Sequence, residues 1–489
     1  MMNKNTSTNQ STWILLLKLI CASTGLIFLW HFPATAYHYG GITFIIAYMI
    51  CLIMISMPLL VSELGIGFLG RHHKKSIETP SDHIAHVAKS RQFQWLSPLS
   101  FIAALIMLCF CLVLMSWATN YGVNSYIEAK VGAIDLMHTH GMLLSSHFDY
   151  NYTQTLLGIL LAALFLFLLS NKKDQTHYRL HNILAFASLV IFFVTVVALI
   201  WIYQFPAHQW LDFFHIHWEN FGHYAMWYHA TIFALLSLLI GFGCLFHQGK
   251  KLQNFDTPRL IFWLVIGNAF TAMVMSLFVL PVFSTVATKT GLPLATLADA
   301  YRDNFALIAL PKAMLFLTSS SSFLPVLFYI TLFLFTATAA LFMIETLVKS
   351  LKQYFPRSFI RMGQVATVLG LCFILLIFYG QWVGYQQIFA LDFFVIHFVI
   401  LFVSLVEVFL IGWVYDAQNL SYKLKKYSHR GLPIFFNFCL RFIVPVALLL
   451  FLLFPFTVTL TKGSFIVVMI VFVILTTFLG IGLHKRFYQ

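Results

Sequence analysis

Twelve stretches of this 489-residue chain are apolar over about the 20 residues that a helix needs to cross the hydrocarbon of a bilayer. They fall near residues 13–34, 42–69, 97–122, 154–171, 181–204, 226–248, 259–285, 321–350, 363–381, 391–415, 433–456 and 464–484. A segment inside lipid finds no water for its N–H and C=O groups, so only helices and closed barrels can span, and long unbroken apolar runs select helices. Composition agrees: 60% of residues are hydrophobic and 9% charged, against roughly 25% charged in soluble domains. The fold class expected is all-α integral membrane, with about twelve transmembrane helices.

Placement of the basic residues tests that count, because short cytoplasmic loops are enriched in Lys and Arg. With both termini inside, the inner segments hold 22 of the 29 Lys and Arg residues and the outer segments 5, while Lys18 and Arg441 fall within or at the edge of spans. A wrong helix count would scramble this alternation. The expectation is therefore a multi-pass protein of the plasma (cytoplasmic) membrane, with residues 1–12 and 485–489 cytoplasmic. Two long connections, about 123–153 and 286–320, suit external loops with short helices of their own.

The net charge of +13 is spread over many short loops, so it reads as a topology signal in contact with anionic lipid and not as a nucleic-acid footprint. All seven cysteines lie inside predicted spans and read as small buried hydrophobes. Lys4, the apolar stretch from Trp13 and Ala34-Thr35-Ala36 imitate a cleavable signal peptide, but Lys18 interrupts the apolar stretch. His72-His73 and the pair His138/His140 lack further ligands at useful spacing and read as solvated loop histidines. With no phosphate-binding Gly-rich loop, GxSxG elbow or HExxH, no enzyme and no organic cofactor are expected.

Residues 25–71 carry a specific pattern: Gly25, then Trp30-His31-Phe32-Pro33, Gly40-Gly41, Pro58 and Glu63. Further landmarks follow in order, namely Ser116-Trp117, Gly241-Phe242-Gly243, Asn304-Phe305-Ala306-Leu307 before Pro311, Glu345, and the set Asp392, Glu407 and Trp413. In order and spacing these resemble the neurotransmitter:sodium symporter family, and its bacterial amino-acid transporters in particular. Nearly the whole chain is covered, helices 4, 5, 9 and 12 mainly by position and hydropathy.

The resemblance implies a 5+5 inverted repeat, helices 1–5 in residues 13–204 and helices 6–10 in 226–416, followed by two C-terminal helices in 433–484. In that architecture helices 1 and 6 are broken at the bilayer midplane, where exposed half-helix ends hold a cation and an anionic substrate group. Gly25 and the pair Gly241/Gly243 are the implied break points, although glycine in a membrane helix also serves close packing. A substrate pocket would be lined by Ala22, Ser23, Leu26, Ile27, Met107, Cys111, Leu236, Ser237, Leu239, Phe242, Ala339 and Met343. Cys111 stands where the family has a carboxylate-binding tyrosine, and an alignment shifted by two residues makes Ser237 the pocket residue instead of Leu239.

Two sodium sites are implied, both needing oxygen ligands. The first would use Ser23, Ser237 and Asn268, with Phe28 replacing an asparagine ligand; the second would use backbone oxygens of Cys21, Thr24 and Phe335 with the hydroxyl of Thr338. Thr338 has the alternative of bonding back to its own helix. His31 stands at the family's outer-gate arginine, opposite Asp392, and its ring can change charge near neutrality. The alternative is that His31 only packs near the water interface. Glu63 and Glu407, costly acids within apolar helices, would brace the broken helices.

The function implied is secondary active symport of an amino acid or related small solute, coupled to Na+, by alternating access. A proton-coupled or uncoupled transporter of the same fold, or a non-transporting ligand sensor on this scaffold, stays open beside it.

Overall fold

In the computed structural model the described residues are 11–29, 31–70, 97–131, 152–172, 174–202, 213–252, 257–290, 310–317, 323–354, 365–366, 368–372, 395–426 and 434–459. These residues form helices and connections, with no strand among them. The elements are α1 (Thr12–Ser23), α2 (Phe32–His38), α3 (Ile42–Cys51), α4 (Met57–Gly70), α5 (Ser97–Val131), α6 (Tyr152–Ser170), α7 (Asp174–Ile202) and α8 (Tyr224–Ser237). They continue as α9 (Cys244–Lys251), α10 (Thr257–Thr290), α11 (Leu310–Leu317), α12 (Phe323–Tyr354), α13 (Ile400–Phe409), α14 (Ala417–Lys425), α15 (Ile434–Phe438) and α16 (Val444–Thr459). Short π-helical segments join α3 to α4, lead into α13 and join α15 to α16.

Eight uninterrupted helical stretches among the described residues are long and apolar enough to cross a bilayer, and α1 with α2 forms a ninth candidate bent by 61°. The predicted runs 363–381 and 464–484, Asp392, and the loop histidines 72, 73, 138 and 140 lie wholly or largely outside the described residues.

Several helices overrun the predicted spans. α5 continues to Val131 where the apolar run ends at 122, and α7 starts at Asp174 rather than 181. Apolarity stops at the edge of the hydrocarbon, whereas hydrogen bonding along the helix does not. In the predicted connection 286–320, α11 is a short helix of its own.

The bundle has an inside and a rim. Spans α3–α4, α5 and α12 are mostly buried. α6 exposes Leu157, Leu161, Leu164 and Leu168 along one stripe, and α7 exposes Ile183, Phe186, Val190, Phe193 and Val197. An apolar outer face is unfavourable in water and matched to lipid. Around the centre α12 packs on α1, α5 and α7, while α8 packs on α1 and on the π-helical segment that follows it.

Candidate functional site

The first span is interrupted between α1 and α2. Its ladder loosens into a π-helical segment, Thr24–Phe28, in which Leu29 N donates to Thr24 O at 3.0 Å. His31 N still donates to Ile27 O at 3.1 Å, and Pro33 opens α2. Pro is tolerated there because a first-turn N–H has no partner in the helix. Gly25 is needed for approach: a Cβ there would lie 2.6 Å from Thr336 N and 2.7 Å from Phe335 C, so the interruption rests directly on the backbone of α12.

The second interruption separates α8 from α9 and is a true unwinding. Leu239 takes φ 55°, Gly241 φ 85° and Gly243 φ 69°, and left-handed conformations of this kind are glycine's province. The freed N–H of Gly241 donates to Glu63 Oε1 at 3.0 Å, and the Cys244 thiol donates to Leu239 O at 3.4 Å. Glu407 neighbours Glu63 and accepts from Ser100 Oγ at 3.5 Å. Both side chains are buried, and Glu63 supplies the unwound segment with an acceptor that the broken ladder lacks. The two interruptions lie together, α8 packing on both α1 and the π-helical segment.

All twelve residues of the expected pocket, from Ala22 to Met343, are buried. Among them Ser237 ends α8, its hydroxyl accepting from Tyr48 Oη at 3.0 Å and donating to Ala234 O at 3.0 Å. Leu239 lies in the unwound segment two residues on, so both alternatives for this position flank the break. The surroundings are apolar: Phe28, Phe32, Phe44, Tyr48 and Phe233 form an edge-to-face cluster, with Phe28 5.2 Å from Phe32. A separate groove of about 510 Å³ lined by Tyr224, Trp227, Phe442 and Leu450 includes none of these residues.

The expected cation ligands are placed unevenly. Ser23 Oγ donates to Ile20 O at 2.8 Å, and Asn268 Nδ2 donates to Leu264 O at 2.9 Å while its Oδ1 is buried with no hydrogen-bond partner among the described residues. At the expected second site, Thr24 Oγ1 donates to Ile20 O at 2.7 Å and Thr338 Oγ1 to Leu334 O at 3.0 Å. The hydroxyl left over on this stretch is that of Thr336, a residue with no marker in the sequence, buried without a hydrogen-bond partner among the described residues beside the contact with Gly25. Among the described residues no group of three His, Cys, Asp or Glu is gathered for a transition metal.

At one end of the bundle His31, half-buried, caps α2 within electrostatic reach of His397. His397 Nδ1 is 2.7 Å from Tyr228 Oη, and its ring is 6.1 Å from that of His229. At the other end Glu345 on α12 binds Lys251 at the end of α9 and Lys349 one turn along α12, and accepts from Gln248 Nε2 at 3.0 Å. In these two clusters Glu345 and His31 are the residues that stand out in the sequence as site candidates. Lys251 and His397 carry no local signal, because each is defined by partners about a hundred or more residues away.

A bundle of membrane-crossing helices with two interrupted spans laid against each other in its buried centre is the architecture of a transporter. The chain belongs to the sodium:neurotransmitter symporter family, whose model matches residues 5–133 and 136–482. It is similar to an uncharacterized sodium-dependent transporter of Methanocaldococcus jannaschii, 20% identical across 88% of this chain and 87% of that protein. It is also similar to sodium-dependent nutrient amino acid transporter 1 of Drosophila grimshawi, 21% identical across 94% of this chain and 78% of the relative, and to that of Drosophila melanogaster, 20% identical across 89% and 75%.

Proposed function

We propose that the chain is a sodium-coupled secondary transporter that carries an amino acid or a related small solute by alternating access. The observation that carries this reading is the pair of breaks, one held on α12 through Gly25 and the other on Glu63 through Gly241, packed together in the bundle's centre. Unwound backbone at membrane depth is tolerated where it is enclosed by protein, and its carbonyl and N–H groups then face a ligand that needs them. The names of the relatives support sodium and an amino acid as cargo.

In this reading Ala22, Ser23, Leu26, Ile27, Met107, Cys111, Leu236, Ser237, Leu239, Phe242, Ala339 and Met343 enclose a small apolar side chain. Cys21, Thr24, Phe335 and Thr338, joined by Thr336, supply oxygens to a sodium ion, while Ser23, Ser237 and Asn268 form a poorer second set beside the Phe28 ring. On this reading the chain has twelve helices in a 5+5 inverted repeat plus two, sits in the plasma membrane with both termini cytoplasmic, and turns its Glu345 end to the cytoplasm and its His31 end outward. His31 and Asp392 form the outer gate; Glu63 and Glu407 brace the breaks.

Proteoliposome uptake of a labelled amino-acid mixture tests this. An imposed sodium gradient should drive accumulation above the equilibrium level, and a potassium gradient should not. A proton-coupled or uncoupled transporter is favoured by one observation, the Phe28 ring where an oxygen ligand is expected, and predicts uptake driven by a pH step or by solute alone. Thermal stabilisation by an amino acid with no accumulation under any gradient would identify a ligand sensor instead.

A further inference from the structure

Lys18 lies in the middle of α1, is 0% exposed, and its Nζ has no hydrogen-bond partner among the described residues. It sits in a seam among three helices. On α7 the residues Tyr178, His181, Ala185 and Ser188 recur at helical spacing along one stripe, and on α12 Phe335, Thr338, Phe342, Glu345 and Lys349 do the same. The two stripes face α1 and each other. Cys21 Sγ donates to Ala185 O at 3.3 Å, the Lys18 ammonium lies 4.7 Å from the centre of the Tyr178 ring and 5.8 Å from that of Phe342, and the His181 and Phe342 rings are 4.9 Å apart.

The titratable groups around Lys18 cannot pair it off. Glu345 is within electrostatic reach, but Lys251 and Lys349 occupy its carboxylate. From α7 come His177 and His181, which offer no negative charge. The Tyr178 face attracts a cation but does not replace a hydrogen-bonding shell. With α1 closed on α7 and α12 this amine is out of water and makes no hydrogen bond among the described residues, and that is unfavourable in either protonation state.

α1 is also the arm best placed to move. The bend of 61° lies between Phe28 and Phe32, and the arm Thr12–Phe28 is held on α12 near its upper end, at Gly25, leaving α1 as a lever below that contact. We infer that Lys18 is the residue that drives α1 away from α7 and α12, opening the seam below the expected cation site to the Glu345 side and setting the rate of release there. This rests on the alternating-access reading above. While solute and cation are bound, their contacts outweigh the burial of the amine; once they weaken, the amine regains water as the lever swings out. Lys18 is a positioning residue in this scheme and touches neither cargo.

The seam carries its own reporter, Cys21, buried three residues beyond Lys18. Purified protein is treated with a polar maleimide, and modification of Cys21 is followed by peptide mass spectrometry for the native chain, Lys18→Met and Lys18→Arg. Lys18→Met keeps the length of the side chain and removes the amine. It should slow Cys21 modification about tenfold, raise the thermal midpoint and lower turnover, while Lys18→Arg keeps modification fast. A lysine with a merely structural role would instead lower the midpoint when replaced. Equal rates in native and Lys18→Met protein, or faster modification with a lowered midpoint, would overturn the assignment to Lys18 and leave the transport reading standing. If Cys21 is modified in none of the three, the seam does not open, and alternating access through α1 fails together with this inference.

Discussion

α1 and α9 hold corresponding places in the molecule, each the half of an interrupted span that points to the Glu345 end, yet they are fastened in opposite ways. α9 is bolted. A Cβ on Gly67 of α4 would lie 2.1 Å from Phe246 O, and one on Gly249 would lie 2.2 Å from Leu64 O, so two glycines bring the α4 and α9 backbones into direct contact. Its last turn is then tied to α12 through Lys251, Gln248 and Glu345. α1 meets its neighbours through side chains, as at Gly267, where an added Cβ would meet only the tip of Ile20, and it carries an amine with no hydrogen-bond partner among the described residues. Backbone contact and satisfied charge make a fixed part; flexible tips and an unsatisfied group make a part that can leave.

The bolt is the first thing to break. Gly67→Val pushes two backbones apart with no side chain able to yield, and overpacking of this kind costs ~3 kcal/mol or more. The protein should fail to give a single symmetric peak in size-exclusion chromatography. Gly267→Ala, the matched change beside α1, displaces only the end of Ile20 and should cost ~1 kcal/mol or less. If the two variants proved equally well folded, the contrast between the arms would be wrong.

Glu345 gives the next largest effect, because its removal strands two lysines that are themselves mostly buried, with side chains 15% and 26% exposed. Glu345→Ala should destabilise by ~3 kcal/mol, the lower end of the range for breaking a buried ion pair, since Lys251 and Lys349 both retain some water. Glu345→Gln keeps an acceptor and should fall between Ala and the native residue. The thermal midpoint in a fixed detergent measures both. Its change should be opposite in sign to that of Lys18→Met, which separates a charge that holds the bundle from one that strains it.

Much of this contrast could not be read along the chain. The spans were legible because about 20 apolar residues in a row have few other uses. The interruptions were legible through glycine, but the reasons for the glycines differ. Gly241 and Gly243 adopt positive φ, whereas Gly25 is required by the nearness of α12, a fact that belongs to the packing. Leu239, with φ 55°, has no marker in its residue type. Lys18 shows in sequence only as a charge interrupting an apolar run; that it goes unpaired depends on what α7 and α12 place around it. Helix ends misled because the polar residues Asn120, Asn124 and Ser125 end the hydrophobic signal without ending α5.

The smallest test concerns the tie between the arms' upper neighbours. Tyr48 on α3 donates to Ser237 at the end of α8, 189 residues away, and its ring is 5.2 Å from Phe32 and 6.1 Å from Phe28 in the aromatic cluster beside the first break. Tyr48→Phe removes the hydroxyl and keeps the ring, so the cluster and its burial are retained. Ser237 loses a donor but still gives its own proton to Ala234 O, so no donor is left stranded and the loss should be ~1 kcal/mol. The informative comparison is with Tyr48→Leu, which also dissolves the edge-to-face contacts and should cost about 1 kcal/mol more. If Tyr48→Phe proved as damaging to uptake as Glu345→Ala while shifting the thermal midpoint only slightly, Ser237 would need its partner for ligand geometry. The fixed and moving parts would then meet at that hydroxyl rather than at the bend below it.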